Sequence, residues 1–440
     1  MIFKTRPHLI ALLALAGSLS VGHVRSEILS PDSLTLNTII SDVIHNHPMV
    51  KKAMEELNTS DAKIGIAKSG LLPNVDFTTS YSRVGPVIEI NIPDMGSFQL
   101  MPKDNYSTAV NFNQTIFDFG KTDKAISLEK KGKELTIQTV EQVKQKLSQL
   151  VIANYFSLTY LQEAIKIKDE QLLTLNEHLQ YIQKKQATGS ATQYEILTTQ
   201  VRISAIENQK TDLETARQVM VCQLNSLLGK PQNTLQVVKA ELDLGQTALQ
   251  GDTLFATAIQ KRDEMKMARQ KANLAELRYN LTNAQNNPVI NAFASGGVKN
   301  GYIPYMYDPK VNFVAGISLK IPIFDGKRNK FNLVEAKSAI MENDQETEIA
   351  RRNILNEVVE AEANLKASQK KIDQSLLQLR QATQAYVLGK VRYDSGVITN
   401  LELLDGSTSV SESRLLLLKA RIEHTMNLYK LKSAIGERLY

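Results

Sequence analysis

Ile116-Phe117-Asp118-Phe119-Gly120-Lys121 ends a stretch of alternating apolar and polar residues and opens a long run without breakers. The chain writes the same junction again as Ile321-Pro322-Ile323-Phe324-Asp325-Gly326-Lys327, with Phe324-Asp325 falling 207 positions after Phe117-Asp118. Gly189-Ser-Ala-Thr192 recurs at the same offset as Gly396-Val-Ile-Thr399, and Gly229 recurs as Gly436. The pairs Val151/Val358, Leu158/Leu365, Ile165/Ile372, Leu172/Leu379 and Leu179/Tyr386 keep the same step. One offset held by so many separate features marks a duplication.

Within each half those five positions are seven apart, with Leu161, Leu175 and Ile182 three residues after three of them. This is the seam of helices packed side by side. The run 121–187 has no Pro and a single Gly, Gly132; the run 327–395 has no Pro and only Gly389. Each of these predicted helices is about 100 Å long at 1.5 Å per residue. Each ends at a Gly-containing turn and folds back into a shorter helix, 193–228 and 401–435, stopped by Gly229 and Gly436. Helices near 34–69 and 252–286 precede the strands and can stack on the return helices to complete their length.

The alternating stretches form two predicted hairpins, 71–117 and 288–324. In the first, Tyr106, Thr108, Val110, Phe112 and Ile116 oppose Ser107, Ala109, Asn111 and Asn113. In the second, Val311, Phe313, Ala315, Ile317, Leu319 and Ile321 oppose Asn312, Gly316, Ser318 and Lys320. One face is too apolar for water and the other too polar for a core, which favours a lipid face and a wet lumen over two surface hairpins on a soluble coiled coil. Four strands cannot close a barrel, and lipid tolerates no open edge. Two or three copies would close one of eight or twelve strands.

The first 26 residues carry Lys4, Arg6 and Arg25 and no acid, so the net charge of +6 falls by three to +3 if they are removed. Lys4 and Arg6 precede the apolar run 9–19, the layout of a secretory signal peptide over 1–26. Cys222 stands alone and predicts neither a disulfide nor a thiolate metal site. No basic block interleaved with aromatics suggests nucleic acid. His45 and His47 have no further ligand at metal spacing, and no nucleophile elbow, phosphate loop or dinucleotide fingerprint occurs, so neither an enzyme nor a cofactor is expected.

With the signal segment, the duplicated order of helix, hairpin, rod and return helix, and the markers Leu72-Pro73, 116–121, 321–327 and 393–436, the chain resembles the TolC family of outer-membrane factors. The resemblance covers everything after the signal, with repeats over 27–229 and 252–440 joined by an equatorial segment, 230–251. It implies an α+β membrane protein whose long antiparallel coiled-coil helices form a periplasmic tunnel. Four transmembrane β-strands per chain complete a 12-stranded barrel as a homotrimer. It further implies docking on a periplasmic adaptor and an inner-membrane pump or ABC exporter, as the passive exit of an efflux or type I secretion system. A periplasmic coiled-coil scaffold or adaptor is the alternative, though adaptors normally carry one helical hairpin rather than two.

The family closes its periplasmic entrance by coiling the second tip, with acidic rings in the pore. Glu402 and Asp405 sit on the acidic positions, against the plain reading of a solvated helix face. Tyr393 matches a lock tyrosine and Glu195 its acidic partner, while the usual basic residue falls on Ile398. Gly189, Thr192, Gly396 and Thr399 match adaptor-contact tips, although helix-breaking turns explain the glycines equally well.

Overall fold

A computed structural model describes residues 35–93, 96–238, 242 and 251–440. The expected signal peptide and most of the segment linking the halves lie outside them. The first half runs α1 (Leu36–Asn46), α2 (Pro48–Ser69), β1 (Asn74–Arg83), β2 (Glu89–Ile92), β3 (Gly96–Gln99), β4 (Asp104–Phe117), α3 (Lys121–Ala187) and α4 (Gln193–Leu228). The second runs α5 (Asp252–Lys261), α6 (Asp263–Asn283), β5 (Val289–Lys299), β6 (Lys310–Lys320), α7 (Arg328–Asp394) and α8 (Asn400–Ala434).

The repeated Phe-Asp junction now has a physical meaning. Two successive residues turn left-handed in each half, Phe119-Gly120 and Gly326-Lys327. The Asp before them anchors the helix start. Asp118 accepts from the backbone N–H groups of Gly120, Lys121 and Thr122, the last at 2.7 Å, and Asp325 accepts from that of Asn329 at 2.8 Å. A carboxylate there satisfies donors that the first helical turn cannot, and it suits the positive end of the helix dipole.

Both rods, α3 and α7, are 67 residues long. On α3, α2 packs near the strand end, through Ser60–Thr136 and Asp61–Lys133 contacts, and α4 packs toward the far tip, where Lys210 reaches Asp169. The heptad seam is buried away from the tips, with Val151, Leu158 and Val358 fully enclosed and Ile165, Leu365 and Ile372 nearly so, while Leu172, Leu179, Leu379 and Tyr386 are half-buried. The thickest core lies mid-length, where Ile39, Ile40 and Val43 of α1 join Leu147, Val151, Tyr155 and Phe156 of α3 and Leu224 of α4. Its counterpart in the second half gathers Leu254, Ile354, Val358, Leu431 and Ile435.

Four local features differ from the sequence reading. The helix expected over 34–69 breaks at His47, which is extended because Pro48 excludes the helical region from the residue before it. The helix expected over 252–286 breaks at Arg262, whose side chain pairs with Glu264 and Glu357 and reaches the Ala434 carbonyl. The last predicted strand stops at Lys320, because Pro322 cannot donate to a ladder. The hairpin β2–β3, with Ile90 opposite Phe98, was not anticipated.

The four longer strands form one antiparallel sheet in the order β1-β4-β5-β6. Its register aligns Phe77 with Val110, Val110 with Gly296 and Gly296 with Phe313, so one face carries Phe77, Val110, Phe313 and Ile317. These apolar side chains are open to the outside, Phe313 at 86% and Ile317 at 76% of full exposure. The opposite face is mostly polar, with Phe293 and Val314 as exceptions: Asn111 donates to Asp76 and Thr78 and accepts from the Ser295 hydroxyl. Gly316 lies beneath the Phe293 ring, and a Cβ on Gly297 would sit 2.0 Å from the Thr108 carbonyl. No described helix is long and apolar enough to cross a membrane.

Candidate gate at the hairpin tips

Both rods end in the same turn. Gly189 (φ +74°) and Gly396 (φ +72°) take left-handed conformations, and Ser190 and Val397 bond back to Lys185 and Arg392. Such a C-cap satisfies the last carbonyls of a helix and leaves glycine the natural occupant. Thr192 and Thr399 then start the return helices, each accepting a bond from the backbone N–H three residues on, of Glu195 and Glu402. The four expected tip residues therefore all have local structural work, and they cluster at the end of the molecule remote from the sheet.

The two hairpins touch along α3, α4, α7 and α8. Leu404 is buried against Leu175, Ile203 and Ile206, which sets one face of α8 into the first hairpin. Asn400, one turn earlier on that face, is 5% exposed. Tyr393 is 7% exposed, and its hydroxyl donates to Glu195 Oε2 at 3.1 Å. Burial, and next the Glu195 charge, push the phenol far above its ordinary range, so it stays a donor. The expected lock pair, Tyr393 and Glu195, is thus in contact. Lys185 Nζ lies 5.0 Å above the Tyr393 ring and 4.8 Å above that of Tyr181, whose hydroxyl reaches Asp394 at 2.9 Å. Ile398, at the position of the family's basic residue, packs over Gly389 of its own hairpin.

Glu402 and Asp405 project from the exposed side of α8, and each has a partner within the chain. Glu402 Oε2 accepts from the Thr399 N–H at 2.7 Å and from its hydroxyl at 2.9 Å, completing a capping box. The backbone bond in particular lowers its pKa and keeps it ionised. Asp405 receives Arg202 Nη2 of α4 at 2.6 Å. Arg202, Asn400, His178 and Lys185 escaped the sequence reading. Their partners lie far along the chain, so only the packing of the second hairpin on the first discloses them. No cluster of three or more His, Cys, Asp or Glu suited to a metal occurs among the described residues.

Residues 39–230 and 254–437 match the family model described as outer membrane efflux protein. The outer membrane protein TolC of Vibrio cholerae is 20% identical over 433 residues, spanning 97% of this chain and 95% of that protein. Among solved structures, the outer membrane protein VceC of Vibrio cholerae superposes with a TM-score of 0.74 at 18% identity, over 92% of this chain and 97% of that one. The CmeC outer membrane channel of Campylobacter jejuni gives 0.76 at 16% identity, over 98% and 94%.

Proposed function

Since the chain belongs to the outer membrane efflux protein family, we propose that three copies assemble into one continuous duct, a 12-stranded barrel in lipid continued by a helical tunnel across the periplasm. Each chain is an outer-membrane channel subunit of an efflux or secretion system, working with an adaptor and an inner-membrane pump. One observation carries the assembly. The sheet is apolar on its open face, yet β1 and β6 have no further strand beside them among the described residues. Unpaired backbone groups are costly in hydrocarbon, so β6 of one copy must meet β1 of the next. Native mass spectrometry in detergent is expected to show a trimer; a persistent monomer or dimer overturns this reading.

The tips form the closed periplasmic entrance in this reading. Tyr393 and Glu195 lock the second hairpin onto the first, and Glu402 and Asp405 supply stacked carboxylates that draw in cations. Gly189, Thr192, Gly396 and Thr399 present the two turns to the adaptor. The Tyr393–Glu195 bond and the burial of Leu404 between α3 and α4 support the lock. Tyr393→Phe is expected to raise single-channel conductance in planar bilayers, and unchanged conductance counts against it.

A further inference from the structure

Asn400 ties three helices together. Its Nδ2 faces the Glu195 carbonyl at 3.3 Å and the Thr199 hydroxyl at 3.2 Å, both on α4. A carbonyl only accepts, so this orientation fixes the amide and turns Oδ1 toward α3. There His178 Nε2 lies 2.7 Å away and carries the shared hydrogen. The His178 ring also stands edge-on to the Tyr393 ring, 5.5 Å between centroids. Glu195 is thereby held twice, by its carboxylate from α7 and by its carbonyl from α8.

We propose that His178 and Asn400 form a second, acid-released latch, in which the neutral imidazole holds the start of α8 against α3 and α4 and protonation favours the released tip. The inference rests on reading the tips as a gate. His178 is half-buried, and that burial lowers its pKa. The Asn400 bond and the Asp394 and Glu195 carboxylates favour its charged form, Lys390 opposes it, and burial outweighs them all. Tyr393, Tyr181 and Lys185 complete the charged and titratable surroundings.

The sign follows from linkage. The closed state binds fewer protons than a state with the ring in water, whose pKa is about 6.5. Closure is therefore fully supported above that value and weakens as pH falls through it. Protonation leaves the Nε2 hydrogen in place, so release comes from the charged ring's preference for water rather than from loss of a donor. Replacing His178 with Gln keeps a donor and removes the titration.

The test is single-channel recording of the full-length channel in planar bilayers, with the periplasmic side taken from about pH 7.5 to about 5.5, where His is the side chain whose unperturbed form titrates. Wild-type conductance or open probability is expected to rise as the pH falls, each unit of pKa difference between the closed and released ring being worth about tenfold in the equilibrium. His178→Gln is expected to stay closed at both values. Asn400→Ala is expected to be leaky at both, with no further response to acid. A pH response that persists in His178→Gln or in Asn400→Ala overturns the latch, as does a tightly closed Asn400→Ala channel. Tyr393→Phe separates this from the wider reading. If it opens the channel and Asn400→Ala does not, the latch alone fails; if neither opens it, the gate reading fails as well.

Discussion

In the proposed gate, Glu402 serves a helix and a pore together. Its charge faces outward, while one of its oxygens holds the first turn of α8. Glutamine also completes a capping box, so Glu402→Gln separates the two roles. We expect Glu402→Gln to lower cation preference with normal amide-exchange protection at the start of α8, and Glu402→Ala to lower both. Asp405 gives the complementary prediction. Arg202 lies against it, so Arg202→Gln is expected to strengthen cation preference and block by multivalent cations. In Glu402→Gln/Asp405→Asn both are expected to fall, with assembly unchanged. Reversal-potential measurements in a salt gradient read each effect, and an unchanged Arg202→Gln channel returns that ion pair to the ordinary surface kind.

Among the elements, the strands carry the sharpest expectation. Phe313 and Ile317 lie on the open apolar face and Ser318 on the polar one. We expect Phe313→Asp or Ile317→Asp to block outer-membrane assembly, since a charge facing lipid is costly in every copy around the barrel, while Ser318→Asp assembles. Gly297→Ala is expected to weaken assembly too, because its Cβ would collide with the Thr108 carbonyl across the β4–β5 ladder. Heat-stable oligomer on gels reads both. The rods, their heptad seam and the alternating strands were legible because period 3.5 and period 2 are written along the chain itself. The Tyr393–Glu195 contact was reachable only through family resemblance. The break at Arg262 was not legible, since the partners its side chain meets there, Glu357 and the Ala434 carbonyl, lie far along the chain. Pro48 did announce the break at His47, and a stricter weighting of the residue before proline finds it.

On the scale of the whole molecule, duplication supplies two rods of equal length, and the tips break that equivalence. There the two hairpins reach across to each other through unlike residues: Tyr393 to Glu195, His178 to Asn400, Arg202 to Asp405. If these bonds alone fasten the tips of the proposed trimer, each copy releases without asking its neighbours, and the conductance of a population follows the statistics of independent coins, with intermediate levels between shut and fully wide. Hybrid assemblies mixing intact chains with Asn400→Ala chains then become a counting experiment. The number of altered copies, read by mass, predicts which sublevel dominates the recordings, and a strictly two-level record would mean that the copies turn in concert.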